Sequence, residues 1–259
     1  MKRGGFDNRR LSKTGCVRRV KEIQRIIHRA NGGAYPENTL EALEEMVQAD
    51  AEGIEIDIQL SKDDVPMVFH DPHLGRLTGR DSLLRELSAV ELKSLKVSSN
   101  SSDKSGTIPT LDEAIEILKG KKQFYIELKK GDTNNITENV LSVLDERLSE
   151  DSFTLSSFDP KLIKAVKAKN ENVRTGYIFS TQLRNIFLNR TEKQVGGFDQ
   201  WHIENGMLNE RLLKKARRMN REVMVWKANS EAQMKRCIEL GVDGIITDNI
   251  TKLNKVLSG

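Results

Sequence analysis

Two short runs of this chain set carboxylates at positions where a strand would otherwise bury Val or Ile. The first reads Gly53-Ile54-Glu55-Ile56-Asp57-Ile58-Gln59. Side chains alternate along a strand, so the three isoleucines share one face while Glu55 and Asp57 share the other. The second, Phe124-Tyr125-Ile126-Glu127-Leu128-Lys129, puts Glu127 and Lys129 together on one face. Unpaired charge is expensive to bury, so such carboxylates must be paired or must hold a cation. A histidine closes each of two further extended runs, Arg25-Ile26-Ile27-His28 and Pro66-Met67-Val68-Phe69-His70. Three acids, two imidazoles and a lysine at strand ends point to phosphoryl transfer or hydrolysis rather than to a packed core.

Glu55, Asp57 and Glu127 are hard oxygen donors of the kind that suit Mg²⁺ or Ca²⁺. Neither a thiolate cluster nor an HExxH helix is present to favour zinc. A divalent ion would neutralise a phosphate and polarise its phosphorus. The plainer alternative for each acid is a salt bridge to Arg or Lys at the mouth of the fold. For all three, two strands would have to give up inward positions in the same way. Displacement at phosphorus needs one group to take the nucleophile's proton and another to protonate the departing alkoxide. Imidazole serves both roles near neutral pH, which makes His28 and His70 the acid/base candidates. Arg29 can hold non-bridging phosphate oxygens bidentately, and Lys129 can do so as a point charge. Lys129 can equally pair with Glu127 or Glu55. His73 and His202 are expected to be bystanders.

These groups need a scaffold that brings several strand ends together. From Arg25 onward, strand-like and helix-like segments alternate. Strands are expected at 25–28, 53–59, 123–129, 152–156, 173–179, 198–203, 222–227 and 243–247. Helices are expected at 38–50, 88–95, 110–119, 135–148, 160–169, 181–189, 208–219, 230–240 and 250–257, with a short extended run at 65–70. Repeated βα units call for a parallel sheet. Eight of them in about 250 residues predict a closed (β/α)₈ TIM barrel, an α/β fold, with a small insertion after the second strand. In that fold catalytic groups gather at the C-terminal ends of the strands, and His28, Glu55, Asp57, His70, Glu127, Lys129 and Trp226 all fall at or near such ends. No GxGxxG or GxxxxGK[ST] occurs, which disfavours dinucleotide and P-loop nucleotide enzymes.

The 259 residues are 37% hydrophobic and 31% charged, the balance of a soluble globular chain. No run approaches the roughly 20 apolar residues that span a bilayer, and no signal-peptide pattern opens the chain. The expectation is a cytoplasmic protein. Cys16 and Cys237 stand far apart without metal spacing and are expected to be free thiols. The net charge of +4 is uneven, because residues 1–25 alone carry nine basic and two acidic side chains. Residues 1–24 therefore read as a basic arm, either frayed in solvent or in weak contact with an anionic membrane, and 25–259 as the folded domain. Aromatic residues are not interleaved with the basic ones, so nucleic acid is not an expected partner. Oligomeric state is left open.

Taken together, these residues resemble the glycerophosphodiester phosphodiesterase family. His28-Arg29 followed by Pro36-Glu37-Asn38-Thr39 is similar to one signature of that family. Gly53-Ile54-Glu55-Ile56-Asp57, Asp63, Pro66 and His70-Asp71 are similar to a second. Ile108-Pro109-Thr110-Leu111, Glu127-Leu128-Lys129, Ser157-Phe158-Asp159-Pro160, Trp226 with Asn229, and Gly241 to Asp248 follow in the family's order. The resemblance implies a TIM barrel, its insertion at about 71–107, that hydrolyses a small-molecule glycerophosphodiester to glycerol 3-phosphate and an alcohol. It implies Ca²⁺ or Mg²⁺ on Glu55, Asp57 and Glu127, and acid/base work by His28 and His70. Arg29 and Lys129 become phosphate ligands, and Trp226 lies against the glycerol. Glu37 and Asp71 become supporting residues near the site, Glu37 also an occasional ligand.

Two positions depart from the pattern. Ala30 replaces a glycine after His-Arg, a substitution that costs about 1 kcal/mol if the backbone there needs positive φ. Asp64 replaces a turn glycine, which matters less because Asp tolerates left-handed geometry. Two other readings remain at this level. One is a lysophospholipase D or a cyclising phosphodiesterase acting on lipid. The other is a barrel that binds a phosphorylated ligand without turnover, for which two proton-shuttling histidines would be superfluous.

Overall fold

A computed structural model of the chain describes residues 22–259 apart from 101, 103, 131–132 and 182–196. Eleven strands are present among these residues. Eight of them, β1 (Gln24–His28), β2 (Gly53–Leu60), β6 (Gln123–Leu128), β7 (Phe153–Ser157), β8 (Thr175–Phe179), β9 (Gln200–Glu204), β10 (Glu222–Trp226) and β11 (Gly244–Thr247), run parallel. β1 pairs with both β11 and β2, so the sheet closes on itself as the expected barrel. Most of the basic arm, Cys16 and nearly all of the helix expected at 181–189 lie outside the described residues.

The strands follow the two-residue period of the sequence. Ile54, Ile56 and Ile58 of β2 and Phe124, Ile126 and Leu128 of β6 are all fully buried in the layer between strands and helices. The opposite faces look into the barrel, where Ile26, Tyr125, Met224 and Ile246 pack into an inner plug. Small residues make room for that interior. A Cβ on Gly53 would stand 2.7 Å from the Tyr125 ring, and one on Gly176 would stand 2.5 Å from the His202 ring.

Side chains cap the outer helices, where the first N–H groups of each helix lack intrahelical partners. Thr39 caps Leu40–Met46, Thr110 caps Leu111–Leu118, Asp159 caps Pro160–Lys169 and Ser230 caps Glu231–Leu240. The first helix is shorter than the expected 38–50. Its start is fixed by Thr39, whose hydroxyl accepts from the Ala42 N–H and donates to the Pro36 carbonyl.

The extended run at 65–70 needs correction. Only Pro66–Val68 form a strand, β3, and it runs antiparallel to β2. His70 thus lies two residues beyond a return strand, not at the end of a barrel stave. Between β3 and the helix Leu111–Leu118 come two short α-helices, Gly75–Thr78 and Ala89–Lys93, and the hairpin β4–β5 (Lys96–Val97 and Gly106–Thr107). Leu74, Leu77, Leu84, Leu87, Leu92 and Val97 form a second apolar cluster there with Met67 and Phe69 of the return strand. The backbone is left-handed at Ala30 (φ 51°) and Asp64 (φ 62°), the geometry expected to make the missing glycines matter.

Candidate active site

The barrel register assembles the polar groups at one end of the staves. His28 of β1 is the Cα partner of Glu55 on β2, and Asp57 of β2 is that of Glu127 on β6. One oxygen from each of Glu55, Asp57 and Glu127 lies within 4.8 Å of the others, and all three residues are buried. No other such cluster of acids, histidines and cysteines occurs among the described residues. His28, Arg29, His70 and Trp226 line one cavity with Glu55 and Glu127, and Lys129 joins the cluster through Asp57 and Glu127.

Asp57 is fully buried between cations. Lys129 Nζ lies 2.7 Å from its Oδ1, Arg29 Nε 3.3 Å from its Oδ2, and the Asn38 amide donates to that Oδ2 at 2.7 Å. Lys129 also donates to Glu127 Oε1 at 2.6 Å. Burial alone would raise the Asp57 carboxyl, but Lys129 and Arg29 hold it well below the carboxylate range. Glu55 and Glu127 stand the other way. Burial, with the charges of Asp57 and Glu127 added, lifts Glu55 well above its usual value, and burial pushes Glu127 up to about 7 despite Lys129. Two protein cations thus cannot keep all three buried acids ionised together. Carboxyl oxygens that converge in this way, and that resist ionisation without a further cation, fit a divalent ion.

Each imidazole is held by a carboxylate. His28 Nδ1 donates to Asp248 Oδ1 at 2.6 Å, leaving Nε2 4.0 Å from Glu55 Oε2. His70 Nδ1 donates to Asp71 Oδ1, also at 2.6 Å. Burial keeps both rings below the ordinary imidazole value in spite of these partners. Asp248 is itself fixed by Lys227 at 2.7 Å and by the Asn229 amide at 2.6 Å. Local backbone aims the loops. Left-handed φ at Arg29 (55°) and Asn38 (56°) turns the chain so that the Arg29 N–H donates to Glu55 at 3.1 Å and the Asn38 N–H to the Arg29 carbonyl at 2.8 Å.

These groups open into a cavity of about 390 Å³ lined by His28, Arg29, Glu55, His70 and Glu127 on its polar side and by Phe158, Ile178, Trp226 and Ile246 on the other. Trp226 meets the Phe158 ring edge-on at 5.6 Å, and its indole N–H donates to the His202 carbonyl at 3.2 Å. Glu37 bonds Arg29 at 3.1 Å from outside the acid cluster.

Several residues at the site carried no role in the sequence reading. Asp248, Asn229, Asn38 and Phe158 all fall inside the motif blocks, but nothing in their spacing shows which partner they meet. His202 does line the cavity, fully buried with Nε2 3.0 Å from Gln200 Oε1, so it is part of the pocket wall rather than remote from it. His73 pairs on the surface with Asp81 at 3.0 Å. Cys237 is a buried free thiol, and burial pushes it up to about 11.

Comparison with known proteins gives one consistent result. Residues 28–252 match the glycerophosphoryl diester phosphodiesterase family. A glycerophosphodiester phosphodiesterase of Caldanaerobacter subterraneus subsp. tengcongensis is 28% identical over 252 residues, covering 90% of this chain and 98% of that protein. A phosphodiesterase of Oleispira antarctica, solved in complex with the product sn-glycerol-3-phosphate, superposes with a TM-score of 0.82 at 26% identity, covering 91% of this chain and 97% of the other. The glycerophosphodiester phosphodiesterase of Thermotoga maritima gives 0.75 at 29% identity, over 91% and 98%. With its barrel, its convergent acids and this match across nearly the whole described domain, the chain belongs to the glycerophosphoryl diester phosphodiesterase family, a family of phosphoric diester hydrolases.

Proposed function

We propose that this protein hydrolyses a glycerophosphodiester to glycerol 3-phosphate and an alcohol, with Ca²⁺ or Mg²⁺ on Glu55, Asp57 and Glu127. The observation that carries the reading is the meeting of three buried carboxylates beside two imidazoles whose Nδ1 atoms are each tied to an aspartate. A bound divalent ion would supply charge neutralisation for the phosphate and acidify the attacking hydroxyl.

The chain's own residues do the rest. Arg29 and Lys129, at opposite sides of Asp57, hold the non-bridging phosphate oxygens and keep Asp57 ionised. His28 and His70 present their Nε2 atoms from two sides of the cavity, one to take the proton of the nucleophile and one to protonate the leaving oxygen. The nucleophile is water or the C2 hydroxyl of the glycerol. Trp226 and Phe158 close the apolar wall against the glycerol carbons.

A coupled glycerol 3-phosphate assay over glycerophosphodiesters with different headgroups, with and without EDTA and beside His28→Ala, tests the reading. Chelator-sensitive release that His28→Ala abolishes is expected. Normal turnover by that variant, or full activity in EDTA, defeats the assignment. A diester without a hydroxyl next to the phosphate separates the two nucleophiles, because only the water route hydrolyses it.

A further inference from the structure

The inserted segment reaches the catalytic end of the barrel through one side chain. Arg76, on the short helix Gly75–Thr78, donates from Nε to Asp71 Oδ2 at 2.5 Å and from Nη2 to Glu37 Oε1 at 2.6 Å. Asp71 uses its other oxygen to accept from His70 Nδ1. Glu37 Oε1 accepts also from Arg29 Nη1, and Arg29 in turn contacts Asp57. One guanidinium thus sits at the midpoint of a chain running from an imidazole to the acid cluster. We propose that Arg76 is a positioning residue, holding His70 through Asp71 and Arg29 through Glu37. This rests on the phosphodiesterase reading above.

The geometry gives each contact a consequence. An aspartate held at only one oxygen can rotate about its Cβ–Cγ bond and offer its imidazole partner either lone pair. With Oδ2 taken by Arg76, Oδ1 stays aimed at Nδ1, which fixes the tautomer that leaves Nε2 unprotonated and facing the cavity. The planar fork of a guanidinium holds two carboxylates at fixed directions, whereas an ammonium attracts them as a point charge without fixing their orientation. The platform is firm as well. Leu74 and Leu77, flanking Arg76 in the sequence, are buried in the same apolar cluster as Phe69, the residue before His70. Gly79 ends the helix in the left-handed conformation, with its N–H on the Gly75 carbonyl. The insertion therefore carries both Arg76 and the base of His70 on one small core.

The test compares Arg76→Ala and Arg76→Lys with Asp71→Asn and the Arg76→Ala/Asp71→Asn pair, by steady-state turnover of glycerophosphocholine or the best diester of the panel. Arg76→Ala is expected to lower kcat about 10- to 100-fold while KM changes less than about threefold. Arg76→Lys should fall between. The pair should be no slower than the worse single variant, because both break one chain. Added guanidinium should restore part of kcat to Arg76→Ala and nothing to Asp71→Asn. ¹⁵N NMR of histidine-labelled protein supplies a readout that needs no turnover. His70 should be the Nδ1–H tautomer in the unmodified protein and a mixture in Arg76→Ala. Absence of turnover by the unmodified protein defeats the phosphodiesterase reading and leaves the tautomer to decide the role of Arg76. An unchanged His70 tautomer, or kcat losses that multiply in the pair without rescue, overturns the proposal.

Discussion

Nδ1 of His28 and Oδ1 of Asp248 lie 2.6 Å apart although 220 residues separate them in the chain. Barrel closure makes the contact, since β1 and β11 are neighbours and these two residues sit at their ends. Asp248 is kept ionised against the pull of burial by His28, Lys227 and Asn229. Asp248→Asn removes the charge and can present an N–H to the ring, favouring the wrong tautomer. We expect kcat to fall at least about tenfold with the barrel intact. Unchanged kcat in a coupled assay would show that His28 needs no such partner.

Ca²⁺ or Mg²⁺ should stabilise the protein by relieving repulsion among Glu55, Asp57 and Glu127. At a free ion concentration of 100 times Kd the gain is about 2.7 kcal/mol. Denaturant melts with EDTA and with added ion measure it. Glu127→Gln should abolish that gain.

The same variant carries a pH signature. Glu127 titrates near 7 in the fold, above its ordinary value, so the folded state holds this proton where the unfolded chain has lost it. A raised acid of this kind destabilises at alkaline pH, and the penalty disappears as pH falls from about 7 toward the unfolded value near 4.3. In EDTA, Glu127→Gln should therefore gain stability relative to the unmodified protein at pH 8 and lose that advantage at pH 5. An advantage independent of pH would contradict the charged-cluster picture.

His202 gives the opposite slope. Burial lowers it to about 4, so it stays neutral in the fold while the unfolded chain takes up a proton below about 6.5. Its contribution is complete above 6.5 and is lost toward 4, at about 1.4 kcal/mol per pH unit. The stability difference between the unmodified protein and His202→Gln should narrow accordingly between pH 7 and 5. A constant difference in urea melts over that range would place the ring in contact with solvent.

Trp226 packs its ring edge-on with Phe158 at the apolar wall of the cavity. Trp226→Ala should raise KM by up to about tenfold, the upper end of the roughly 0.5–1.5 kcal/mol of an aromatic contact, and change kcat less. A pure loss of kcat in the coupled assay would place the ring at the reacting centre.

Strand positions and the acid cluster were legible because a two-residue period leaves little freedom. Once Ile54, Ile56 and Ile58 face the helices, Glu55 and Asp57 must face the barrel axis. Glu127 follows from the same rule one stave away. Asp248 and Phe158 were not legible in role, because each acts through a partner that only the closed sheet supplies. His70 was found for a partly mistaken reason. Its run reads as extended through residue 70, yet β3 stops at Val68 and lies antiparallel to β2, and the imidazole reaches the site from beyond that return. Arg76 lies in the irregular stretch after His70, where no period constrains which way a side chain points.

The seam between the first and last staves has a bearing on biosynthesis. A ribosome delivers His28 some 220 residues before Asp248, so a growing polypeptide holds its imidazole without the aspartate that aims it. The contact that orients this imidazole then forms in a single late event, when β11 docks beside β1.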